Sequence, residues 1–261
     1  MELKGAARRG LRLGSDSADE IRARPASPRG AGPLLVEVLG PAGSGKTSVA
    51  RALRSGNDPI RIGLGLGRSA YLRSLLLKVV PFVAVWIRDR RRGRWFDQRD
   101  MRSIAFLDAW HRAVEQRRSR DELVVLFDHG PLYRLARLRE FGPAITRSER
   151  FQRWWDAEWE VWVDALDVVV WLDAADDVLI RRVGQRGHWY LSRDLSDEER
   201  HRFLHRYRKA FAEIIPGGSQ DGPMILRYRS DDRSIDEIAG DVRRALGSLA
   251  PQTLAHQGLH R

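Results

Sequence analysis

The sequence lacks cysteine altogether, which excludes disulfide bonds and thiolate-ligated metal sites. Its seven histidines do not have the spacing of a zinc site. It has a single asparagine, Asn57, so the Asn-Lys-x-Asp sequence by which Ras-type GTPases recognise guanine is missing. The Leu-Ser-Gly-Gly signature of transporter ATPases is missing as well. Any function must therefore be carried by other motifs.

Long apolar runs are also missing. The longest, from Leu75 to Ile87, contains Lys78 and Pro81 and is shorter than the roughly 20 residues that span a bilayer. We expect it to pack against the rest of the domain, with contact to a membrane surface as the alternative. The arginines that follow Met1 lead into no apolar run, so no secretion signal is predicted. These patterns predict a cytoplasmic protein.

Positive charge is in excess, with a net charge of +11 and a pI of about 10.8. This balance is typical of proteins with an anionic partner, such as nucleic acid, a membrane surface or a phosphorylated small molecule. The run from Arg88 to Arg94 holds five arginines and is followed by Trp95 and Phe96. It could bind the phosphate of an acceptor, anionic lipid or nucleic acid, or it could be a solvated loop. The sequence leaves these alternatives open.

The stretch from Leu34 to Thr47 has the most specific pattern in the chain. An apolar run predicts a buried strand, and helical spacing continues from Thr47 to Leu53. Between them, a glycine-rich turn matches G-x-x-x-x-G-K-[ST], the phosphate-loop pattern, with the strand and helix that it requires on either side. The predicted nucleotide-binding residues are Gly40, Pro41, Ala42, Gly43, Ser44, Gly45, Lys46, Thr47 and Ser48.

These residue types suit polyphosphate binding. Glycines allow the backbone N–H groups of the loop to point inward, and the following helix adds the positive end of its dipole. Lys46 is predicted to reach the β- and γ-phosphates, and the Thr47 hydroxyl is predicted to ligate Mg²⁺. The motif therefore predicts a bound nucleotide with Mg²⁺.

Strands alternate with helices across residues 33–250, which predicts a three-layer α/β/α fold with a mostly parallel five-stranded sheet. The predicted strands are residues 34–39, 60–64, 122–127, 167–172 and 224–228. Residues 69–118 are expected to form a helical insertion broken or kinked at Pro81, and residues from about 182 to 196 a lid. Capping boxes predict helix starts at Thr146, Ser196 and Ser234. Residues 1–32 are predicted to be a disordered basic arm, and residues 251–261 a flexible tail.

Asp128 follows the third predicted strand, at the end of the sheet where ligands bind in such folds. We predict that it holds Mg²⁺ or accepts a proton from the nucleophile; the alternative is a cap on the turn at Gly130. His129, next to it, either contacts substrate or fills the turn. Asp173 follows the fourth strand, and we expect it to cap the helix that begins near Asp176.

Two arginines, Arg182 and Arg186, are four residues apart and share one face of a helix that leads into the predicted lid. Arginines in this position can stabilise charge on a transferring phosphoryl group, whereas the alternative is a solvated basic face. The tryptophans from Trp154 to Trp162 recur at helical spacing. They are predicted to pack in the core rather than to stack on bases.

Three segments resemble the nucleoside and nucleotide kinase group of phosphate-loop proteins, which includes thymidylate kinase-like and adenylate kinase-like families. They are G-P-A-G-S-G-K-T at 40–47, L-F-D-H-G-P at 126–131 and V-V-V-W-L-D-A-A-D-D-V-L-I-R-R-V-G-Q-R-G at 168–187, the last followed by a helix with Tyr207. The resemblance implies ATP as the phosphoryl donor, with Arg182 and Arg186 as lid arginines. His129 departs from it, because thymidylate kinases have an arginine there. No carboxylate follows the second strand, where deoxynucleoside kinases keep their general base, and residues 69–118 match no known segment.

The sequence therefore predicts a phosphotransferase that moves the γ-phosphoryl group of ATP to a small-molecule acceptor, with nucleotides and nucleosides among the candidates. The predicted catalytic residues are Lys46, Asp128, Arg182 and Arg186, and the predicted Mg²⁺ ligands are Thr47 and Asp128. A hydroxyl acceptor would need Asp128 as base, whereas a phosphate acceptor would need none and could be held by the arginines of residues 88–94. The alternative is a phosphate-loop ATPase, or a nucleotide-regulated adaptor that contacts nucleic acid or a membrane through its basic segments.

Overall fold

A single parallel sheet organises the computed structural model, which describes residues 33–55, 60–65, 68–88, 95–117, 124–185, 195–215 and 222–249. Within these ranges the strands are β1 (Leu34–Leu39), β2 (Ile60–Ile62), β3 (Val124–Asp128), β4 (Val168–Asp173) and β5 (Met224–Arg229). Their spatial order is β2-β3-β1-β4-β5, and each neighbouring pair is parallel. The predicted α/β class and its five-stranded parallel sheet are confirmed.

β1 lies at the centre of the sheet, and both of its faces are covered. Successive side chains of a strand point to opposite faces, so Leu35 and Leu39 enter one core while Val36 and Val38 enter the other. The register of β1 with β3 places Val38 opposite Asp128. Because the strands are parallel, the loop that leaves β1 and the last residue of β3 lie at the same edge of the sheet.

Helices cover both faces of the sheet, as parallel sheets require. They are α1 (Lys46–Arg54), α2 (Arg68–Val79), α3 (Pro81–Arg88), α4 (Gln98–Arg117), α5 (Pro131–Phe141), α6 (Glu149–Ala165), α7 (Asp176–Gln185), α8 (Asp197–Ile214) and α9 (Ile235–Leu249). α1 and α9 pack on one face, and α3, α4, α5, α6 and α8 contribute to the core on the other. The sequence analysis predicts no helix at α5, although Pro131 in its first turn is a helix-start signal. In α6, Trp155 and Trp162 are buried among these core residues.

The region predicted as a helical insertion is helical in its described parts. α2 ends at Val79 and α3 begins at Pro81, because proline has no N–H and its ring clashes with the preceding turn. One side of α3 packs inward, where the Phe82 ring lies 5.5 Å from that of Phe151 in α6, measured between centroids. The other side of α2 and α3 is exposed. The expectation that Leu75 to Ile87 packs against the domain therefore holds for one side only.

Two of the three predicted capping boxes form. Ser196 and Glu199 exchange side-chain and backbone hydrogen bonds at the start of α8, and Ser234 does the same with Glu237 before α9. The prediction at Thr146 is wrong, because Ser148 caps α6 by accepting a hydrogen bond from Phe151 N. Thr146 lies instead in a 3₁₀ turn (Ala144–Arg147), where its hydroxyl donates to Pro143 O at 2.8 Å.

Several sequence predictions fall on parts of the chain that lie outside the described residues. These parts are residues 1–32, residues 89–94 of the arginine run, residues 186–194 of the lid with Arg186, and the tail from residue 250 onward.

Candidate active site

The phosphate loop connects β1 to α1 and carries its glycines where other residues would be strained. Gly43 and Gly45 have φ angles of 87° and 94°, in the left-handed region that favours glycine. At Gly40, a Cβ would lie 2.0 Å from the Leu172 carbonyl oxygen of β4, so the close approach of the two strands also requires glycine. The loop shape therefore depends on the spacing that the motif specifies.

Lys46 is the first residue of α1, and its side chain folds over the loop. Its Nζ donates hydrogen bonds to the carbonyl oxygens of Gly40 at 2.8 Å and Pro41 at 2.9 Å. Only 9% of the residue is exposed, and a buried ammonium group needs such partners. The charge thus lies at the loop, where an incoming phosphate oxygen could replace the carbonyl oxygens as its partner.

Thr47 and Asp128 meet beside Lys46, although 81 residues separate them in the chain. Thr47 Oγ1 donates to Asp128 Oδ2 at 3.0 Å. The other carboxylate oxygen, Oδ1, is buried and accepts no hydrogen bond from the described residues; His129 Nδ1 is 3.4 Å away. The structure therefore brings together the two residues predicted to ligate Mg²⁺.

These two side chains fit Mg²⁺ in chemistry, because this ion prefers hard oxygen ligands such as carboxylates and hydroxyls. The unpartnered Oδ1 of Asp128 is available as such a ligand. Across the described ranges, no cluster of three or more histidine, aspartate or glutamate side chains could hold a metal by itself. The ion would therefore need phosphate oxygens and water to complete its coordination, as is usual for Mg²⁺ at nucleotide sites.

His129 follows Asp128 in a left-handed conformation, with a φ of 62°. Its ring packs edge-on against Tyr133, with centroids 4.4 Å apart. Burial lowers the pKa of the imidazole, and the positive charges of Lys46 and Arg134 lower this pKa further, whereas Asp128 acts in the opposite direction. The imidazole is thus biased toward its neutral form, in which one ring nitrogen can accept a proton.

Glu37, in the middle of β1, is a site residue that the sequence analysis misses. It is fully buried, and its two carboxylate oxygens accept hydrogen bonds from Leu132 N and Tyr133 N, both at 2.9 Å. It thereby fixes the start of α5 and the turn that carries His129. A Cβ at Gly130 would lie 2.7 Å from Glu37 Cδ, so the glycine allows this close approach. The available signal was a charged residue inside an otherwise apolar strand.

Burial raises the pKa of Glu37 to about 8, against the lowering effect of the two backbone hydrogen bonds and of the nearby Arg134. This carboxyl group therefore resists ionisation more than an exposed glutamate does. Glu37 lies on the strand next to that of Asp128, opposite Phe127. A carboxyl group with so strongly raised a pKa supports the interpretation of this end of the sheet as a functional site.

Arg134, on α5, is a second residue that the sequence analysis does not single out. Its guanidinium carbon lies 4.7 Å from the ring centroids of both Phe106 and Trp110 on α4. Its NH1 donates to Ser103 Oγ at 3.4 Å, while Nε is buried and makes no hydrogen bond to a described residue. Burial lowers the pKa of Arg134 to about 10, which leaves it charged at neutral pH. A partly buried cation with a donor that no described residue uses is suited to holding an anion.

Arg182 contacts the back of the phosphate loop. Its NH1 donates to Ser230 Oγ at 3.0 Å and to Gly43 O at 3.3 Å, and its NH2 donates to Ser230 O at 2.9 Å. In this arrangement it joins the loop to the turn between β5 and α9. Closure of Arg182 and Arg186 over a phosphoryl group stays a prediction.

One further contact stabilises the edge of the loop. Tyr207 of α8 donates its hydroxyl to Gly40 O at 3.1 Å. Asp173 accepts hydrogen bonds from Ala174 N at 2.8 Å and from Arg208 Nε at 2.8 Å. The expectation that Asp173 caps α7 is not met, because its backbone partner is Ala174 N, which precedes the helix, and its other partner is the Arg208 side chain.

Comparison with known proteins finds no matching family model and no significant match among curated proteins. Among solved structures, the chain is similar to YorR from Bacillus subtilis in complex with phosphorylated GDP: identity 18%, TM-score 0.45, covering 87% of this chain and 99% of that one. It is also similar to deoxyadenosine kinase from M. mycoides with bound dCTP, with 12% identity and a TM-score of 0.47 over 81% of this chain and all of that one (100%). Values this low assign no activity, ligand or family to this chain.

Proposed function

We propose that the protein is an ATP-dependent phosphotransferase of the nucleoside and nucleotide kinase type. It would move the γ-phosphoryl group of ATP to a small-molecule acceptor, with nucleotides and nucleosides as the leading candidates. The observation that carries the proposal is the hydrogen bond from Thr47 to Asp128 beside Lys46, while the second oxygen of Asp128 accepts no hydrogen bond from a described residue. A nucleotide-binding loop and a carboxylate at the end of the neighbouring strand are the two parts that phosphoryl transfer from a nucleotide needs.

On the donor side, the loop N–H groups and the α1 dipole hold the phosphates of ATP. Lys46 exchanges its bonds to Gly40 O and Pro41 O for the β- and γ-phosphate oxygens, where it neutralises developing charge. Thr47 Oγ1 and Asp128 would hold Mg²⁺, which neutralises phosphate charge when bound. Tyr207 and Arg182 keep the loop in place through Gly40 O and Gly43 O.

In the transfer step, an acceptor oxygen forms a bond to the γ-phosphorus while the bond from phosphorus to the leaving ADP oxygen breaks. If the acceptor is a hydroxyl, its proton passes to Asp128 or to the neutral imidazole of His129, which lie side by side. If the acceptor is already a phosphate, no base is needed.

On the acceptor side, we assign a binding role to Arg134. Its guanidinium lies between α4 and α5 against two aromatic rings, and its Nε makes no hydrogen bond to a described residue. Arginine recognises phosphate through hydrogen bonds from its planar fork, and aromatic side chains suit a flat base. This arrangement favours an anionic acceptor such as a nucleotide.

A transfer screen with labelled ATP tests the proposal. Nucleosides, nucleotides, sugars and aminoglycoside-like hydroxyl compounds would each be offered, and labelled product would be separated from free phosphate. We expect one acceptor class to be labelled, with transfer lost in Lys46→Ala. If water alone accepts the phosphoryl group, the kinase proposal fails and the phosphate-loop ATPase alternative is favoured. For the acceptor found, Arg134→Met should raise its KM by at least about tenfold with little change in the KM for ATP.

A further inference from the structure

The outward side of α2 and α3 exposes large aliphatic side chains to solvent. We name this surface the apolar face; its exposures range from 36% to 55%, and its residues are Leu72, Leu76, Leu77, Val80, Val83 and Ile87. Within the described part of the chain, Ile62 is the only other large hydrophobic residue that is exposed. Single exposed apolar residues are common, but a contiguous group on one surface is typical of a binding site.

The exposure is not the result of an unanchored helix, because the opposite side of α2 is held firmly. Lys78 Nζ lies 3.3 Å from Asp108 of α4 and 3.4 Å from Glu158 of α6. Ser74 Oγ also donates to Asp108, at 2.6 Å. One turn further on, Phe82 is buried in the core. The helices are therefore fixed with their polar and aromatic side inward and their aliphatic side outward.

By length and composition alone, the 20 residues of Ser69–Arg88 could cross a membrane. Only 17% of this apolar stretch is buried in the structure. Crossing would remove Lys78 from its two carboxylate partners and Phe82 from the core, and leaving buried carboxylates unpaired is costly. Lying flat on a bilayer requires neither change. A helix surface with an aliphatic side outward is the arrangement of an interfacial segment.

Charge favours a lipid surface over a second copy of the chain. From Ile60 to Arg88 the sequence contains no aspartate or glutamate, while Arg73 and Arg88 are exposed next to the apolar face. The sequence continues with Asp89 and with arginines at positions 90, 91, 92 and 94, which lie outside the described residues. In a symmetric pair of copies, the same positively charged surface would face itself, which is unfavourable. An anionic bilayer offers a partner of opposite charge together with an apolar interior.

We propose that the apolar face of α2 and α3 docks the protein onto an anionic lipid bilayer. The aliphatic side chains enter the interface between headgroups and acyl chains, while Arg73 and Arg88 contact lipid phosphates. The protein would therefore act at the membrane surface, and this binding does not depend on the identity of the phosphoryl acceptor.

Flotation of the full-length chain with lipid vesicles tests the proposal. Vesicles of phosphatidylcholine alone would be compared with vesicles that also contain phosphatidylserine, at low and high salt. We expect flotation with the anionic vesicles and its decrease at high salt. Leu76→Glu should lower the partition coefficient between vesicles and water by about tenfold or more. The substitution removes one leucine side chain that would enter the bilayer, and it adds a negative charge.

Ser248→Glu is the matched control, since it adds the same charge at an exposed position on α9. It should float as the original protein does, and circular dichroism should show that both variants are folded. The proposal is overturned if the original protein stays unbound in both vesicle types, or if Leu76→Glu floats equally well. It is also overturned if sedimentation shows a dimer that Leu76→Glu dissociates, because a second copy would then cover the apolar face.

Discussion

Asp128 accepts a hydrogen bond from Thr47 at 3.0 Å through one carboxylate oxygen, while its other oxygen is buried and lacks a hydrogen-bonding partner among the described residues. Neither oxygen accepts from a backbone N–H group of the described residues, as a structural cap would, so this carboxylate is suited to holding a cation. The turn at Gly130 is held instead by Glu37, through the N–H groups that begin α5. Glu37 therefore supports the backbone, and we expect Asp128 to hold the cation.

Asp128→Asn tests whether Asp128 holds the cation. The amide keeps the shape and can still accept the hydrogen bond from Thr47, but it loses the negative charge that a cation needs. We expect Mg²⁺-dependent ATP turnover to fall at least about 100-fold, with nearly unchanged thermal stability. Steady-state kinetics over a range of Mg²⁺ concentrations would measure this. Asp232→Asn, on the exposed turn after β5, is the control, and equal turnover in both variants would remove Asp128 from the site.

Lys46→Ala should abolish ATP turnover, with a loss of at least about 100-fold, while the fold stays intact. The substitution removes the charge that neutralises the phosphates, whereas the backbone of the loop is held independently by its glycines and by Tyr207. ATP turnover and a circular dichroism melting curve would be recorded side by side. Lys209→Ala, an exposed lysine on α8, should behave as the original protein. Unchanged turnover in Lys46→Ala would refute the site assignment.

Arg182→Ala is expected to lower the stability of the fold and the affinity for ATP rather than the rate of the transfer step. It removes three hydrogen bonds that join Gly43 O and Ser230, so the free energy of unfolding should fall by about 1–3 kcal/mol and ATP should bind less tightly. Denaturant unfolding and ATP titration would measure the two effects. Arg181→Ala, one position earlier and exposed, is the matched control. A fall in kcat with unchanged stability and ATP affinity would indicate instead that Arg182 closes over the phosphoryl group.

Arg186→Ala should lower kcat far more than ATP affinity if this arginine serves the transition state, as the resemblance to kinases implies. Single-turnover kinetics and equilibrium ATP binding would separate the two quantities. Equal losses in both would point to simple nucleotide binding.

Glu37 should make stability depend on pH. Burial raises its pKa to about 8, whereas the unfolded chain releases the same proton near the ordinary value of 4.5. Between these values the folded state binds more protons than the unfolded state, so raising the pH through this window lowers the free energy of unfolding. The contribution of Glu37 to the free energy of unfolding is fully present below about pH 4.5 and is lost as the pH approaches about 8. Glu37→Gln should lose this dependence and be less stable than the original protein, since the amide has one acceptor oxygen and cannot accept from both Leu132 N and Tyr133 N.

Urea unfolding of both proteins at several pH values would measure that difference. If Glu37→Gln follows the same pH dependence as the original protein, another group is responsible.

The features that the sequence predicts correctly, the phosphate loop and two helix caps, depend on residues that are close together in the chain. The loop from Gly40 to Thr47 is a continuous segment whose glycines and lysine are set by spacing, so no distant contact is needed to recognise it. The capping box at Ser196 also forms from neighbouring residues. Thr146 fails as a cap because two serine or threonine candidates stand close together, and packing of the preceding turn selects Ser148.

By itself, the sequence determined the parallel α/β class, the nucleotide loop and the end-of-strand position of Asp128, because hydrophobic periodicity and short motifs act over a few residues. Only the tertiary structure decided the rest. It placed Asp128 beside Thr47 by pairing β3 with β1, and it gave Glu37 its partners by bringing the start of α5 against the central strand. It also turned the aliphatic side of α2 outward by anchoring Lys78 to two carboxylates on other helices. Each of these outcomes depends on which distant segments pack together, and composition alone cannot specify which side of an apolar helix is buried.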